Sequence, residues 1–150
     1  MELSDLYSDK ILDLAGNARQ PPRLAAPNAS ARKTSRVCGS TIEVDLVVRD
    51  GVIVDYGHEI SACALGQTSA AVVAREIVGT PVDEFRTVRE QMHAMLKAGG
   101  VPPVGKWSDL KYLEPVRDYT ARHMSTLLVF DAVEAALEKI ESAESVAAGS

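Results

Sequence analysis

Regular alternation of apolar and polar residues around an Asp-Gly turn constrains this fold more than any other feature. From residue 41 to residue 48, an aliphatic side chain stands at every even position. Asp50-Gly51 follows, and a second apolar run begins at Val52. Asp-Gly favours the two-residue turn of a β-hairpin, because both turn positions require positive φ. The sequence therefore predicts an antiparallel hairpin over residues 36–60 and leaves room for one strand before it.

Apolar residues at helical spacing lie on both sides of the hairpin, which predicts an α+β fold. The expected architecture is a small antiparallel sheet with helices packed on one face. The first helix is predicted from Ser4, as N-cap, to Gly16, and the second from Ala64 to Val78. The third is predicted with Thr80 as cap, Pro81 as first residue and an end at Gly99. A short helix over 107–113 and a long helix after Pro115 are predicted to follow.

The segment from Asn17 to Lys33 has no clear period and is predicted to be a loop. It holds three prolines, and from Arg19 to Arg36 the chain carries five basic residues and no acidic one. A loop of this length is usually either functional or disordered. Two interpretations remain open: a mobile solvated segment, or a surface that docks an acidic partner.

The chain length of 150 residues fits one domain, which we place at residues 1–141, with a flexible Ala- and Ser-rich tail over 142–150. The net charge of -5 argues against a nucleic-acid partner, because such binders need a basic surface. Long apolar runs and a signal-peptide pattern are both missing, so we expect no membrane association and a cytoplasmic location.

Two cysteines, Cys38 and Cys63, are the residues best suited to chemistry. Cys63 directly precedes a predicted helix, where unpaired amides favour a thiolate, so we expect it to be alkylated faster than a buried thiol. One cysteine enters a strand and the other leaves a neighbouring strand, so the two can meet at one edge of the sheet. The alternative is that both are small buried apolar side chains.

Four stretches carry a resemblance that spans residues 6 to about 137. They are DLYSDKILD at 5–13, Cys38-Gly39-Ser40 with its hairpin, ISACALGQTSA at 60–70, and IVG at 77–79. In this order they resemble the U-type iron–sulfur cluster scaffold family, which comprises the NifU N-terminal domain, IscU and SufU. The resemblance implies a site with three cysteines and an aspartate beside the first, in which Cys38 matches the first cysteine and Cys63 the second.

The chain departs from the family pattern at two ligand positions. Ser40 stands where the family has aspartate, and no cysteine occurs in residues 117–127. Depending on the alignment, Ser125 or Thr120 takes the place of the third cysteine. A neutral hydroxyl is a poor ligand for iron or zinc, so the neighbouring His123 is the best replacement ligand.

The resemblance implies a scaffold or sulfur acceptor that holds a transient iron–sulfur cluster or zinc on Cys38, Cys63 and His123. Cys63 would accept the sulfur, the partners would be a cysteine desulfurase and recipient apo-proteins, and the protein would be a carrier more than a turnover enzyme. An alternative is a degenerate paralogue that kept the fold and acts as an interaction protein. A third option is a zinc protein that transfers sulfur without building a cluster.

The sequence assigns less definite roles to three further residues. His58 is expected to be a strand-edge histidine, and His93, in the middle of a helix, is assigned no role. Gly66 stands in the first turn of a helix, where glycine is unfavourable unless another group approaches closely. That group is either a cluster or donor cysteine, or the backbone of a packed neighbour.

Overall fold

The computed structural model describes residues 7–17, 20–37 and 39–148. Its helices are α1 (Asp9–Gly16), α2 (Ala64–Glu76), α3 (Val82–Lys97) and α4 (His123–Ala148). Its strands are β1 (Ala29–Thr34), β2 (Thr41–Arg49), β3 (Val52–Ser61) and β4 (Thr80–Pro81). A 3-10 segment (Gly105–Asp118) and a 3-10 turn (Thr120–Arg122) precede α4.

The sheet has the order β1-β2-β3-β4, and every neighbouring pair is antiparallel. The predicted hairpin is confirmed as β2 and β3, with Leu46 opposite Tyr56. Asp50 and Gly51 have φ values of 53° and 75°, which is the conformation that an Asp-Gly hairpin turn requires. The local pattern therefore sets both the turn and the register.

The helices lie on the side of the sheet formed by the even-numbered residues of β2, with α4 directly against the sheet and α3 packed on α4. Ile42, Val44 and Leu46 are at most 1% exposed there. α4 contacts both β1 and β2, and α2 packs against α4 and α1. This arrangement confirms the predicted α+β fold.

Two predicted helix starts were wrong. α1 begins at Asp9 and is capped by Ser8, whose Oγ accepts from the Ile11 amide at 3.3 Å, whereas Ser4 lies outside the described residues. Pro81 is the N-cap of α3 and not its first residue. The reason is that Thr80 extends the sheet by pairing with Ile53.

The predicted loop over 17–33 was wrong at its C-terminal end, because β1 begins at Ala29. Hydrophobic alternation does not reveal this strand, because its one buried residue, Ala31, has a small side chain. At the other end of the chain, α4 continues through Ala148, beyond the domain boundary predicted at residue 141.

Residues 20–28, hereafter the strap, cross the sheet face opposite the helices. Arg23 makes a two-pronged ion pair with the buried Asp45, at 2.6 Å and 2.9 Å. Gly57 makes room for the strap, because a Cβ there would lie 2.2 Å from the Pro22 carbonyl oxygen. One basic residue of this segment, Arg23, therefore has its acidic partner, Asp45, within the chain itself.

Candidate functional site

Cys63 lies at the junction where β3 gives way to α2. It is the N-cap of α2, yet its side chain makes no capping hydrogen bond. Instead its Sγ donates to Ser125 Oγ over 3.7 Å. Cys63 is partly exposed as a residue, and its sulfur faces the start of α4.

Ser125 is fully buried in the first turn of α4. Its hydroxyl donates to the Arg122 carbonyl at 3.2 Å and accepts from Cys63. Thr120, the other position aligned with the third cysteine, is exposed in the preceding 3-10 turn. Of the two hydroxyls, Ser125 is therefore the one that the structure brings to Cys63.

Gly66 explains how α4 comes so close to Cys63. A Cβ at Gly66 would lie 3.1 Å from the Ser125 carbonyl oxygen and 3.0 Å from the Ala62 Cβ. Such distances are shorter than ordinary van der Waals contact. Of the two explanations for this glycine, the structure thus provides a backbone neighbour.

Cys38 lies outside the described residues, but the chain on either side of it is described. The Ser35 amide donates to the Ser40 carbonyl at 2.7 Å, and the Gly39 amide donates to the Ser35 carbonyl at 2.9 Å. Ser40 is buried and directly precedes Thr41, which pairs with Ser61. The ends of β2 and β3 that adjoin the two cysteines in sequence are therefore neighbours at one edge of the sheet.

His123 begins α4 and is buried. Its Nε2 lies 3.1 Å from the Val116 carbonyl oxygen and 3.0 Å from that of Arg117. Carbonyl oxygens only accept, so Nε2 carries a proton, and in the neutral ring the lone pair is therefore on Nδ1. Metal-binding histidines commonly have one nitrogen fixed in this way, which leaves Nδ1 as the nitrogen able to bind a metal.

Ser125 is the residue of this helical turn that hydrogen-bonds to the Cys63 sulfur, and His123 stands two positions before it. Positions two apart on a helix point in different directions. Within residues 7–17, 20–37 and 39–148, no three His, Cys, Asp or Glu side chains lie close enough together to hold a metal ion.

The remaining histidines have structural partners. Burial lowers the pKa of His58 to about 4, and this neutral ring lies 2.7 Å from the Tyr56 hydroxyl and 3.1 Å from Gln20 Oε1. The expected strand-edge histidine is thus in the interior. His93 Nε2 contacts Asp131 at 2.8 Å and joins α3 to α4.

Hydrophobic periodicity did not reveal the strap, and the resemblance, which placed Ser125 or Thr120 at the third ligand position, did not show which of the two contacts Cys63. A buried serine and an Arg-Asp pair carry no periodic signal; the glycines at 57 and 66 were the available hints.

None of the described helices is long and apolar enough to cross a membrane.

Comparison with known proteins gives consistent results across sequence and structure. The family model described as "NifU-like N terminal domain" matches residues 6–126. The iron-sulfur cluster assembly scaffold protein IscU of Thermotoga maritima is 27% identical over 135 residues, which cover 90% of this chain and 94% of the relative.

Two solved structures have the same fold. The N-terminal NifU-like protein of Brucella abortus is 50% identical, with a TM-score of 0.90 over 93% of this chain and 97% of the other. A structure titled as a putative scaffold protein for the SUF system, from Fervidobacterium islandicum, is 20% identical, with a TM-score of 0.82 over 91% and 99% of the two chains. The sequence model and the fold agree: this chain belongs to the family of NifU-like N-terminal domains.

Proposed function

We propose that this protein is an iron–sulfur cluster assembly scaffold or sulfur acceptor, with Cys63 as the residue that takes the sulfur. The observation that carries the proposal is the position of Cys63: a partly exposed residue between β3 and α2 whose sulfur does not cap α2 and faces the start of α4. The resemblance to the scaffold family supports the same role.

Sulfur acceptance at Cys63 is a balanced exchange with a persulfide. The Cys63 sulfur attacks the outer sulfur of the donor persulfide, and the donor's sulfur–sulfur bond breaks. Cys63 becomes a persulfide, the donor is reduced to a thiol, and the proton of the Cys63 thiol passes to the departing donor sulfur. The proposed donor is a cysteine desulfurase, the proposed recipients are apo-proteins, and the proposed location is the cytoplasm.

Iron and the nascent cluster are cargo in this proposal. Cys38 and Cys63 would bind as thiolates and His123 through Nδ1, while water or an added thiolate completes four-coordination. Zinc could occupy the same ligands, since thiolate and imidazole suit both metals. Support for His123 comes from its Nε2, which the Val116 and Arg117 carbonyls already fix.

A second candidate is the degenerate paralogue that acts as an interaction protein. The observation that favours it is Ser125, a buried neutral hydroxyl against Cys63 where a ligand would be expected. Both cysteines would then be packing residues without cargo.

One experiment separates the two candidates. The protein is incubated anaerobically with a cysteine desulfurase, cysteine and iron(II), re-isolated, and analysed for iron, acid-labile sulfide and persulfide per chain. We expect sulfur and iron on the native protein and loss of both in Cys63→Ser, with His93→Ala, far from the cysteine in sequence, as a matched control. A folded native protein that takes up neither iron nor sulfur would support the degenerate paralogue.

A further inference from the structure

Ser125 is the hydrogen-bond partner of the Cys63 sulfur. An N-cap side chain usually bonds to the amides of the first helical turn. Cys63 makes no such bond, and its Sγ donates instead to Ser125 Oγ. The Ser125 hydroxyl in turn donates to the Arg122 carbonyl at 3.2 Å while the sulfur is a thiol, and by rotating it can donate to the sulfur once the thiol has lost its proton. The chain thus selects one orientation of the thiol.

The approach of the two helices maintains this orientation. Gly66 lets the backbone of Ser125 come within 3.1 Å of the place where a Cβ would be. Ser125 is fully buried, so water does not compete for its hydroxyl. The close approach of α2 therefore fixes the backbone of Ser125, and the Arg122 carbonyl accepts from its hydroxyl.

We propose that Ser125 is a positioning residue for sulfur acceptance, which holds the Cys63 sulfur facing α4 and away from the cap of α2. This inference rests on the proposed function of Cys63 and adds a residue to it. A nucleophile oriented before its reactant arrives reacts faster, because less freedom is lost on reaching the reactive geometry. This role acts through the Cys63 sulfur and requires no contact between Ser125 and the donor.

The test uses cysteine persulfide as a small sulfur donor at one fixed pH. Mass spectrometry of the Cys63 peptide follows persulfide formation and yields a second-order rate constant. In Ser125→Ala we expect that constant to fall about two- to tenfold, the range that an ordinary net hydrogen bond supports. Ser125→Thr, which keeps the hydroxyl, should restore most of the rate.

Thr126→Val is the matched control. Thr126 is equally buried and also donates to the Arg122 carbonyl, at 2.9 Å. Its loss removes a hydroxyl from the same turn without removing the partner of Cys63. We expect this variant to keep the native rate constant.

A second variant disturbs the contact from the other helix. Gly66→Ala should push α4 away by a few tenths of an ångström and lower the rate constant in the same direction as Ser125→Ala. Equal urea midpoints for the Ser125→Ala and Thr126→Val variants would show that stability does not explain their difference in rate.

Each result has one meaning. A native rate or a faster rate in Ser125→Ala, an equal loss in Thr126→Val, or no rescue by Ser125→Thr would each overturn the positioning role while sulfur acceptance by the native protein stands. A native protein that forms no persulfide at Cys63 would overturn both this role and the proposed function.

Discussion

The ion pair beneath the strap should make the stability of this protein depend on acid in a predictable way. Burial alone would raise the pKa of Asp45, but hydrogen bonds from Arg23, Ser30 and the Leu24 amide outweigh it and lower the pKa from 3.8 to about 2. The carboxylate therefore stabilises the folded state above pH 3.8, and this contribution disappears as the pH falls to about 2.

The magnitude follows from the displacement of that pKa. At about 1.4 kcal/mol per pH unit, the shift corresponds to about 2 kcal/mol of unfolding free energy. Replacing Asp45 by Asn should therefore cost about 2 kcal/mol at pH 7. Breaking a fully buried pair costs about 3–5 kcal/mol. The Arg23 side chain is 37% exposed and keeps part of its hydration, which favours the lower figure.

Urea unfolding at a series of pH values provides the assay. The difference in unfolding free energy between the native protein and Asp45→Asn should be largest above pH 5 and approach zero near pH 2. Asp55→Asn, at an exposed position of β3, is the matched control and should show little difference. A difference for Asp45→Asn that stays constant with pH would refute the argument, since the carboxylate charge would then not be its source.

Three further predictions concern the strap, the buried histidine and the metal. Gly57→Ala should lower the unfolding free energy in urea by about 1–3 kcal/mol because its Cβ would collide with Pro22, whereas Gly16→Ala, with no heavy atom within 4 Å, should be neutral or slightly stabilising. His58 is neutral because its pKa is lowered to about 4, so the native protein should lose stability as the pH falls from 6.5 to 4. Urea titrations of His58→Gln should no longer show this loss. An unchanged pH profile in that variant would exclude His58 as the source of the loss. His123→Ala should lower the zinc bound per folded chain, measured by atomic absorption, and unchanged zinc content would remove His123 from the proposed ligands.

The sequence by itself determined the elements whose signals are local. Alternation and the Asp-Gly turn predicted β2, β3 and the α+β class, because turn chemistry and side-chain period act between near neighbours. The position of Cys63 at the start of α2 was predictable for the same reason. The resemblance also identified the family, from stretches spread over most of the chain.

Only the tertiary structure decided the contacts between residues distant in sequence. Arg23 reaches Asp45 across 22 positions and Cys63 reaches Ser125 across 62. Periodicity predicts neither contact. The resemblance places Ser125 at a ligand position of the same site as Cys63, but the contact itself depends on how closely α2 and α4 approach, just as the Arg23–Asp45 pair depends on how the strap crosses the sheet. Gly57 and Gly66 are visible in the sequence, but what fills the space beside each of them is determined only when the helices and the strap pack against the sheet.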